Sequence, residues 1–190
     1  MKFTSEKEIE ITKRLSELDL FVCEFVRIVE KYTPYVIISG YVSILLGRSR
    51  SSEDVDMILP DLEIKDFEKI YNSLIKEGFY CLNTNSLTSA YTYLQKKTAI
   101  RFAKKGTIIP NMEIKFAHSM LDNDALATKI KVQLEKRKIY ISNLELQIAF
   151  KEQYLKSQKD IEDAKHLRII AQKYIDKKKL TEYEARINEL

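Results

Sequence analysis

A pair of aspartates inside an apolar run, Asp54 and Asp56, constrains the fold more than any other feature of the sequence. The run Asp54–Leu59, closed by Pro60, predicts a strand. Side chains two residues apart share one face of a strand, so the two carboxylates lie about 7 Å apart on that face. Burying two like charges is costly unless a cation neutralises them, and a divalent metal with oxygen ligands is the natural candidate. In the alternative interpretation, Asp54 caps the strand and Asp56 faces solvent.

The rest of the sequence predicts strands alternating with helices. Its composition, 45% hydrophobic and 32% charged, excludes disorder as the overall state. Apolar residues at three- and four-residue steps indicate helices, and short β-branched runs indicate strands. The predicted helices are Ser5–Lys31, Tyr41–Gly47, Ile64–Glu77, Leu144–Ser157, Asp160–Tyr174 and a last one from Thr181; the predicted strands are Tyr35–Ile38, Asp54–Leu59, Ala90–Leu94, Thr98–Ala103, Met112–Phe116 and Tyr140–Ile141.

These elements indicate an α/β (α+β) fold, in which a mixed sheet is flanked by helices and followed by a helical tail. With 190 residues, the chain is long enough for one core and a small subdomain. We expect an N-terminal helix packed on the core over 1–34, a sheet domain over 35–142 and a C-terminal helical subdomain over 143–190.

Several classes of protein are excluded at this stage. Net charge is +4, from 32 basic and 28 acidic residues, which is too small to indicate a nucleic-acid-binding protein by itself. No apolar run is long enough to span a bilayer, so we expect a cytoplasmic protein with no membrane partner. Cys23 and Cys81 are too few for a disulfide framework or a zinc site.

A candidate phosphate-binding turn lies upstream of the aspartates. Ser39 and Gly40 stand where the predicted strand Tyr35–Ile38 gives way to a helix. Glycine allows the backbone to approach a ligand closely, and free amides at a helix N-terminus attract phosphate. A phosphate-binding turn followed by paired carboxylates is what metal-assisted nucleotidyl transfer requires.

The two motifs together resemble the signature of the DNA polymerase β-type nucleotidyltransferase superfamily. In that signature, a hydrophobic residue with Gly and Gly or Ser is followed by Asp-hydrophobic-Asp-hydrophobic. Ser39 and Gly40 match the first part, and Asp54–Met57 matches the second. The segment from Arg50, with Ser52 in a threonine position, looks like the Arg-x-Thr-x-Asp-hydrophobic-Asp version of the abortive-infection toxins of the AbiEii type.

The C-terminal part is similar to the same subgroup. There, a lysine on one helix precedes a Lys/Arg-Asp-x-x-Asp cluster on the next, which Lys151, Lys159, Asp160 and Asp163 match. The resemblance implies that Arg50, Lys151 and Lys159 face phosphate, and that Asp160 and Asp163 position a lysine or the acceptor. Solvated lysines and arginines on helix surfaces, and an N-cap role for Asp160, are the alternatives.

A third carboxylate on a neighbouring strand is also implied by the resemblance. In Asn111–Phe116 the alternation puts Met112, Ile114 and Phe116 on the core face and Glu113 on the other. Glu113 is therefore our candidate, unless it is simply an exposed residue of a half-buried strand. The implied chemistry uses Mg²⁺, or Mn²⁺, held by Asp54, Asp56 and Glu113, with Ser39, Gly40 and Ser52 near the phosphates.

The resemblance implies an enzyme that moves a nucleoside monophosphate from a nucleoside triphosphate (NTP) to a hydroxyl. The implied acceptor is an RNA such as tRNA, or a protein, and the implied setting is a toxin with a cognate antitoxin or phage defence. Two alternatives remain: a catalytically degenerate relative that binds nucleotides or a partner, and a basic RNA-binding module in which the carboxylates are incidental. Ser39 in place of the family's first glycine favours the degenerate relative.

Overall fold

The computed structural model describes residues 1–189, and one mixed sheet runs through them. Nine strands of these residues form the sheet. In chain order they are β1 (Lys2–Ser5), β2 (Glu8–Ile11), β3 (Val36–Ile37), β4 (Asp54–Leu59), β5 (Phe79–Cys81), β6 (Ile100–Lys104), β7 (Asn111–Phe116), β8 (Ile130–Leu134) and β9 (Arg137–Ile141).

The helices flank this sheet, and the last three follow its final strand. A π-helical turn, Lys151–Leu155, separates two of them. The helices are α1 (Glu17–Val29), α2 (Gly40–Leu45), α3 (Ile64–Lys76), α4 (Leu87–Gln95), α5 (Met120–Ala127), α6 (Leu144–Phe150), α7 (Gln158–Ile170) and α8 (Lys177–Asn188). The predicted class, an α/β (α+β) mixed sheet flanked by helices, is confirmed.

The order of the strands places β4 near the middle of the sheet. The spatial order is β1-β2-β8-β9-β3-β4-β7-β6-β5. β4 pairs antiparallel with β3 and parallel with β7, and β6 pairs antiparallel with β7. β4 is thus fixed by hydrogen bonds on both edges.

One face of this part of the sheet is apolar except at Lys104 of β6, whose ammonium pairs with Glu24 of α1. Val55, Met57 and Leu59 of β4 are buried on that face. Aromatic pairs join the sheet to the helices that cover it: Phe25 of α1 lies 6.0 Å from Phe102, and Phe67 of α3 lies 6.0 Å from Phe116. The opposite face carries the other polar side chains of β4, β6 and β7.

The predicted helix Ser5–Lys31 is wrong over its first part. β1 and β2 pair with each other there, and β2 pairs parallel with β8. Glu8–Ile11 alternates polar and apolar residues with the two-residue period of a strand, and Ile9 and Ile11 are buried. The helix begins only after Ser16, whose side chain accepts from the Asp19 amide in a capping box.

The predicted strand Ala90–Leu94 is also wrong, because these residues lie within α4. Its tyrosines and threonines favour strands intrinsically, but Ala90 and Leu94, four residues apart, are the buried positions of the helix. Ser86 caps the helix by accepting from the Ser89 amide.

Other elements were missed or had different bounds. The final predicted strand Tyr140–Ile141 is the end of the longer β9, and the predicted helix Leu144–Ser157 is divided into α6 and the π-helical turn. β5, α5 and β8 were not predicted from the sequence. Among the helices of residues 1–189, none has both the length and the apolar character needed to cross a bilayer.

A buried carboxylate at the start of α1 generates a first prediction. Asp19 is fully buried, and accepts hydrogen bonds from Lys13, from the backbone and hydroxyl of Ser16, and from the hydroxyl of Tyr41 on α2. Asp19→Ala strands these donors, so we expect unfolding free energy to fall by about 2 to 4 kcal/mol. Urea denaturation measures it, with the half-exposed Asp66→Ala as the control. Equal losses of stability in both variants would contradict the role of Asp19 as a buried acceptor that holds these donors.

Candidate active site

The strand register brings the three predicted carboxylates to one face of the sheet. In the parallel pair β4–β7, Asp56 lies opposite Glu113, and Asp54 lies opposite Asn111. Since alternate residues share a face, Asp54, Asp56 and Glu113 all point away from the apolar face. Asp54 and Asp56 are partly buried, and the Glu113 side chain is 25% exposed.

An arginine holds the third carboxylate. Arg101 of β6 lies opposite Glu113 in the antiparallel pair β6–β7. Its Nε and a terminal guanidinium nitrogen lie 2.7 and 2.6 Å from Glu113 Oε2. Glu113 is therefore engaged on one side by a cation and on the other faces Asp56.

Asp56 has an unusual environment for a carboxylate. Burial, together with the negative charges of Glu113 and Asp54, raises the pKa of Asp56 to about 6, although a hydrogen bond from Ser39 opposes the rise. The structure thus gives Asp56 the crowding by like charge that its position in the sequence predicts.

The turn at Ser39 and Gly40 lies directly against Asp56. Ser39 has φ 65° and ψ −138°, a backbone conformation that residues other than glycine rarely adopt. Its amide donates to Oε1 of Gln147 on α6 at 3.0 Å, while its side chain is hydrogen-bonded to Asp56. One amide of the turn predicted to hold phosphate, that of Ser39, is therefore occupied by a glutamine of the C-terminal helices.

Gly40 lies against the side chain of Arg50, in the loop before β4. A Cβ at this position would lie 3.0 Å from a guanidinium nitrogen of Arg50 and 3.2 Å from its Cζ. Glycine at this position therefore leaves space for the Arg50 side chain over the start of α2.

A buried ion cluster ties that loop to α7. Its centre is Asp163, which is fully buried and bound by Lys151 at 2.9 Å, by Arg50 at 2.7 Å and by Arg48. Burial raises the pKa of Asp163, but the hydrogen bonds from Lys151 and Arg48 and the charge of Arg50 outweigh it and leave the pKa below its ordinary value. Lys151, 1% exposed, also reaches Asp160 at 3.2 Å.

Ser52, Lys159 and Asp160 make contacts other than the phosphate or N-cap contacts considered for them from the sequence. The Ser52 hydroxyl donates to the Asp54 carbonyl at 2.9 Å and so closes the loop. Lys159 is exposed on α7, where its carbonyl accepts from Arg48. The N-cap alternative for Asp160 is wrong, because Ser157 caps α7 and the Asp160 amide donates to it.

The carboxylates have the right chemistry for a metal ion, but their side chains are not grouped closely enough in this structure to hold one. Carboxylate oxygens are the donors that Mg²⁺ prefers. Within residues 1–189, no three side chains of His, Cys, Asp or Glu are already grouped closely enough to hold a metal ion. Asp54 and Asp56 are the carboxylates of β4 that could hold such an ion, and Glu113, whose Oε2 is engaged by Arg101, could offer its other oxygen.

Three residues of the site were not found from the sequence: Arg48, Arg101 and Gln147. Arg101 carried a usable signal, since it alternates with Ile100 and Phe102 and so occupies a non-core position of the predicted strand Thr98–Ala103. Arg48 and Gln147 carried none, because their contacts join segments more than 100 positions apart.

The raised pKa of Asp56 gives a second prediction. Between about pH 4 and pH 6 the folded chain binds a proton that the unfolded chain releases, so stability falls as the pH rises through this window. Asp56→Asn removes that loss. In EDTA we therefore expect the free energy of unfolding of this variant to exceed that of the wild type by up to about 2 kcal/mol at pH 8, and by less at pH 4.5, as measured by thermal melting. Asp61→Asn, at an exposed position, is the control. A lower melting temperature for Asp56→Asn at pH 8 would mean a structural role.

The ion cluster around Asp163 gives a third prediction. Asp163→Asn leaves Lys151, Arg48 and Arg50 without their shared counter-charge, so we expect unfolding free energy to drop by about 3 to 5 kcal/mol. Glu162→Gln, which removes an exposed partner of Arg48, is the matched control and should cost no more than about 1 kcal/mol. Chemical denaturation compares the two, and a small loss in both would show that the cluster does not anchor the loop.

The chain matches no family model and no curated protein. Its fold is similar to a solved structure, the crystal structure of an antigenic nucleotidyltransferase-like protein from Paracoccidioides brasiliensis. The superposition has a TM-score of 0.52 with 14% sequence identity, and covers 90% of this chain and 86% of that chain. At this identity the similarity is one of fold, so the chain has a nucleotidyltransferase-like fold and the AbiEii-type subgroup stays a prediction.

Proposed function

We propose that this protein is a metal-dependent nucleotidyltransferase that moves a nucleoside monophosphate from an NTP to a hydroxyl. One observation carries the proposal: Asp54, Asp56 and Glu113 share one face of a nucleotidyltransferase-like sheet, next to the turn at Ser39. In the finer proposal the acceptor is an RNA such as tRNA, or a protein, and the enzyme is a toxin held by a cognate antitoxin. The AbiEii-type resemblance of the sequence supports that finer part.

In this mechanism Asp54 and Asp56 would hold Mg²⁺ or Mn²⁺. The ion, when bound, neutralises phosphate charge and lowers the pKa of the acceptor hydroxyl. The hydroxyl oxygen bonds to the α-phosphorus and pyrophosphate leaves. Glu113, through the carboxylate oxygen that Arg101 does not engage, serves as a further ligand or accepts the hydroxyl proton.

The phosphate-binding residues have different availability. The Ser39 amide can bind a phosphate oxygen only if Gln147 releases it. Arg50 and Lys151 are already paired with Asp163, so in the proposed enzyme they orient the loop and α7 around the site. Lys159 is exposed and free to approach a triphosphate.

A second function is favoured by the same contacts. Arg101 neutralises Glu113, and Gln147 occupies the Ser39 amide, as expected of a degenerate relative that binds a nucleotide or a partner without transfer. The two functions differ in whether label from the NTP becomes covalent.

The test is a transfer assay with α-³²P-labelled ATP, CTP, GTP or UTP, Mg²⁺ and total tRNA. We expect covalent label with the wild-type protein and a loss of at least about 100-fold in Asp54→Asn and Asp56→Asn, because each removes a proposed metal ligand. Glu113→Gln should also lower transfer, whereas the exposed Asp61→Asn should not. Absence of label with every NTP would reject the enzyme in favour of the binding protein. Full activity in Asp56→Asn would instead reject Asp56 as a metal ligand.

A further inference from the structure

A cleft of 450 Å³ opens beside the carboxylates on the same side of the sheet. It lies between the end of β7, the start of α5 and the π-helical turn. Its wall includes Lys97, Lys115, His118, Phe150 and Tyr154. None of the residues assigned to the transfer reaction lines this cleft.

The cleft is close enough to the carboxylates to serve the same ligand. Lys115 follows Glu113 by two residues on the same face of β7, and lies opposite Ile58, which follows Asp56 by two residues. At about 3.3 Å per residue, the cleft begins about 7 Å from the carboxylates. A smaller cavity of 60 Å³, lined in part by Ile58, Lys115 and Phe150, lies along this path.

Two stacked aromatic rings form one wall. The rings of Phe150 and Tyr154 have centroids 4.9 Å apart and planes inclined by 22°. Tyr154 is 57% exposed, although Phe150 covers one side of its ring. The exposed part of the ring is therefore its edge and its other face, a surface on which a planar group can stack.

The charges of the cleft favour an anion near this ring. The Lys115 ammonium is paired with Asp122 at 2.8 Å, so these two groups neutralise each other. His118 is fixed by a hydrogen bond of 3.0 Å between its Nε2 and the Leu94 carbonyl. The exposed ammonium of Lys97, at the end of α4, remains as excess positive charge.

We propose that this cleft binds an unpaired nucleobase, which stacks on Tyr154 while Lys97 attracts the attached phosphate. An aromatic platform beside a lysine is the combination that holds single nucleotides without base pairing. The inference rests on the proposed function for its choice of ligand. The base comes either from the incoming NTP or from the end of a single-stranded RNA acceptor, and the two sources have the same chemistry in the cleft.

The experiment measures binding alone, on the full chain. One probe is radiolabelled ATP with Mg²⁺ in equilibrium dialysis, and the other is a fluorescein-labelled eight-residue oligoadenylate in fluorescence anisotropy. Because stacking on an aromatic side chain is worth about 1 to 3 kcal/mol per base, Tyr154→Ala should weaken at least one probe by roughly 5- to 150-fold. Tyr154→Phe keeps the ring and should stay within about threefold of wild type.

The chain offers a matched control. Tyr174 is 45% exposed and stacks on Phe3 with centroids 4.3 Å apart, away from the cleft. Tyr174→Ala should leave both affinities unchanged. Tyr154→Leu, which keeps an apolar contact with Phe150, serves if the alanine variant melts early, and it should lose affinity as the alanine variant does.

Each outcome decides the inference. A loss confined to ATP assigns the base of the incoming nucleotide, a loss confined to the oligonucleotide assigns the acceptor, and a loss of both means that either can enter. Equal effects of the Tyr154 and Tyr174 substitutions, or no effect on either probe, would overturn it. Tyr154-dependent binding by a protein that transfers no label would reject the proposed enzyme and leave the cleft assignment standing.

Discussion

The parallel pairing of β4 with β7 is the contact on which the other features depend. Side chains alternate along a strand, so a shift by one residue would exchange the buried and exposed faces. Val55, Met57 and Leu59 prevent such a shift, because each is fully buried against the helices. The apolar face therefore holds the carboxylates in place on the other face, although their mutual repulsion and partial burial work against folding.

The buried ion cluster adds a second constraint, from outside the sheet. Asp163 alone would be an unfavourable group to bury, and Lys151 and Arg50 would be unfavourable without it. Together they connect α7 with the loop that leads into β4, so the C-terminal helices help to shape the start of the carboxylate strand. This connection explains why residues so distant in the sequence form one structural unit around the candidate site.

The part of the fold around the carboxylates could be predicted because its signals are local. The runs Asp54–Leu59 and Asn111–Phe116 have the composition and alternation of strands, and the structure has both. The strand predicted over Ala90–Leu94 failed because local preference and tertiary packing disagree there. Tyr91 and Tyr93 favour a strand intrinsically, but Ala90 and Leu94 are buried as one face of the helix α4. In contrast, β2 and β8 were missed although both alternate polar and apolar residues with the two-residue period of a strand. The turn between β8 and β9 contains Glu135 at φ 50°, so no glycine marks it in the sequence.

The site was predictable in its residue types and less so in its contacts. Paired aspartates in an apolar run indicate their own chemistry, because burial first, and then the charges of Glu113 and Asp54, raise the pKa of Asp56. That Arg101 would face Glu113 follows only from the register of β6 and β7. A register between strands is set by the whole sheet and is not written in either strand alone.

The hydrogen bond from the Ser39 amide to Gln147 has a thermodynamic consequence. A single N–H group cannot serve α6 and a ligand oxygen equally well, so an anion bound there and the docking of α6 compete for the same donor. Such competition is reciprocal: whatever holds α6 in place weakens the anion, and the anion loosens α6 by the same factor. Because the Ser39 side chain is also hydrogen-bonded to Asp56, one residue contacts both the helix that competes with the anion and the carboxylate of the candidate site.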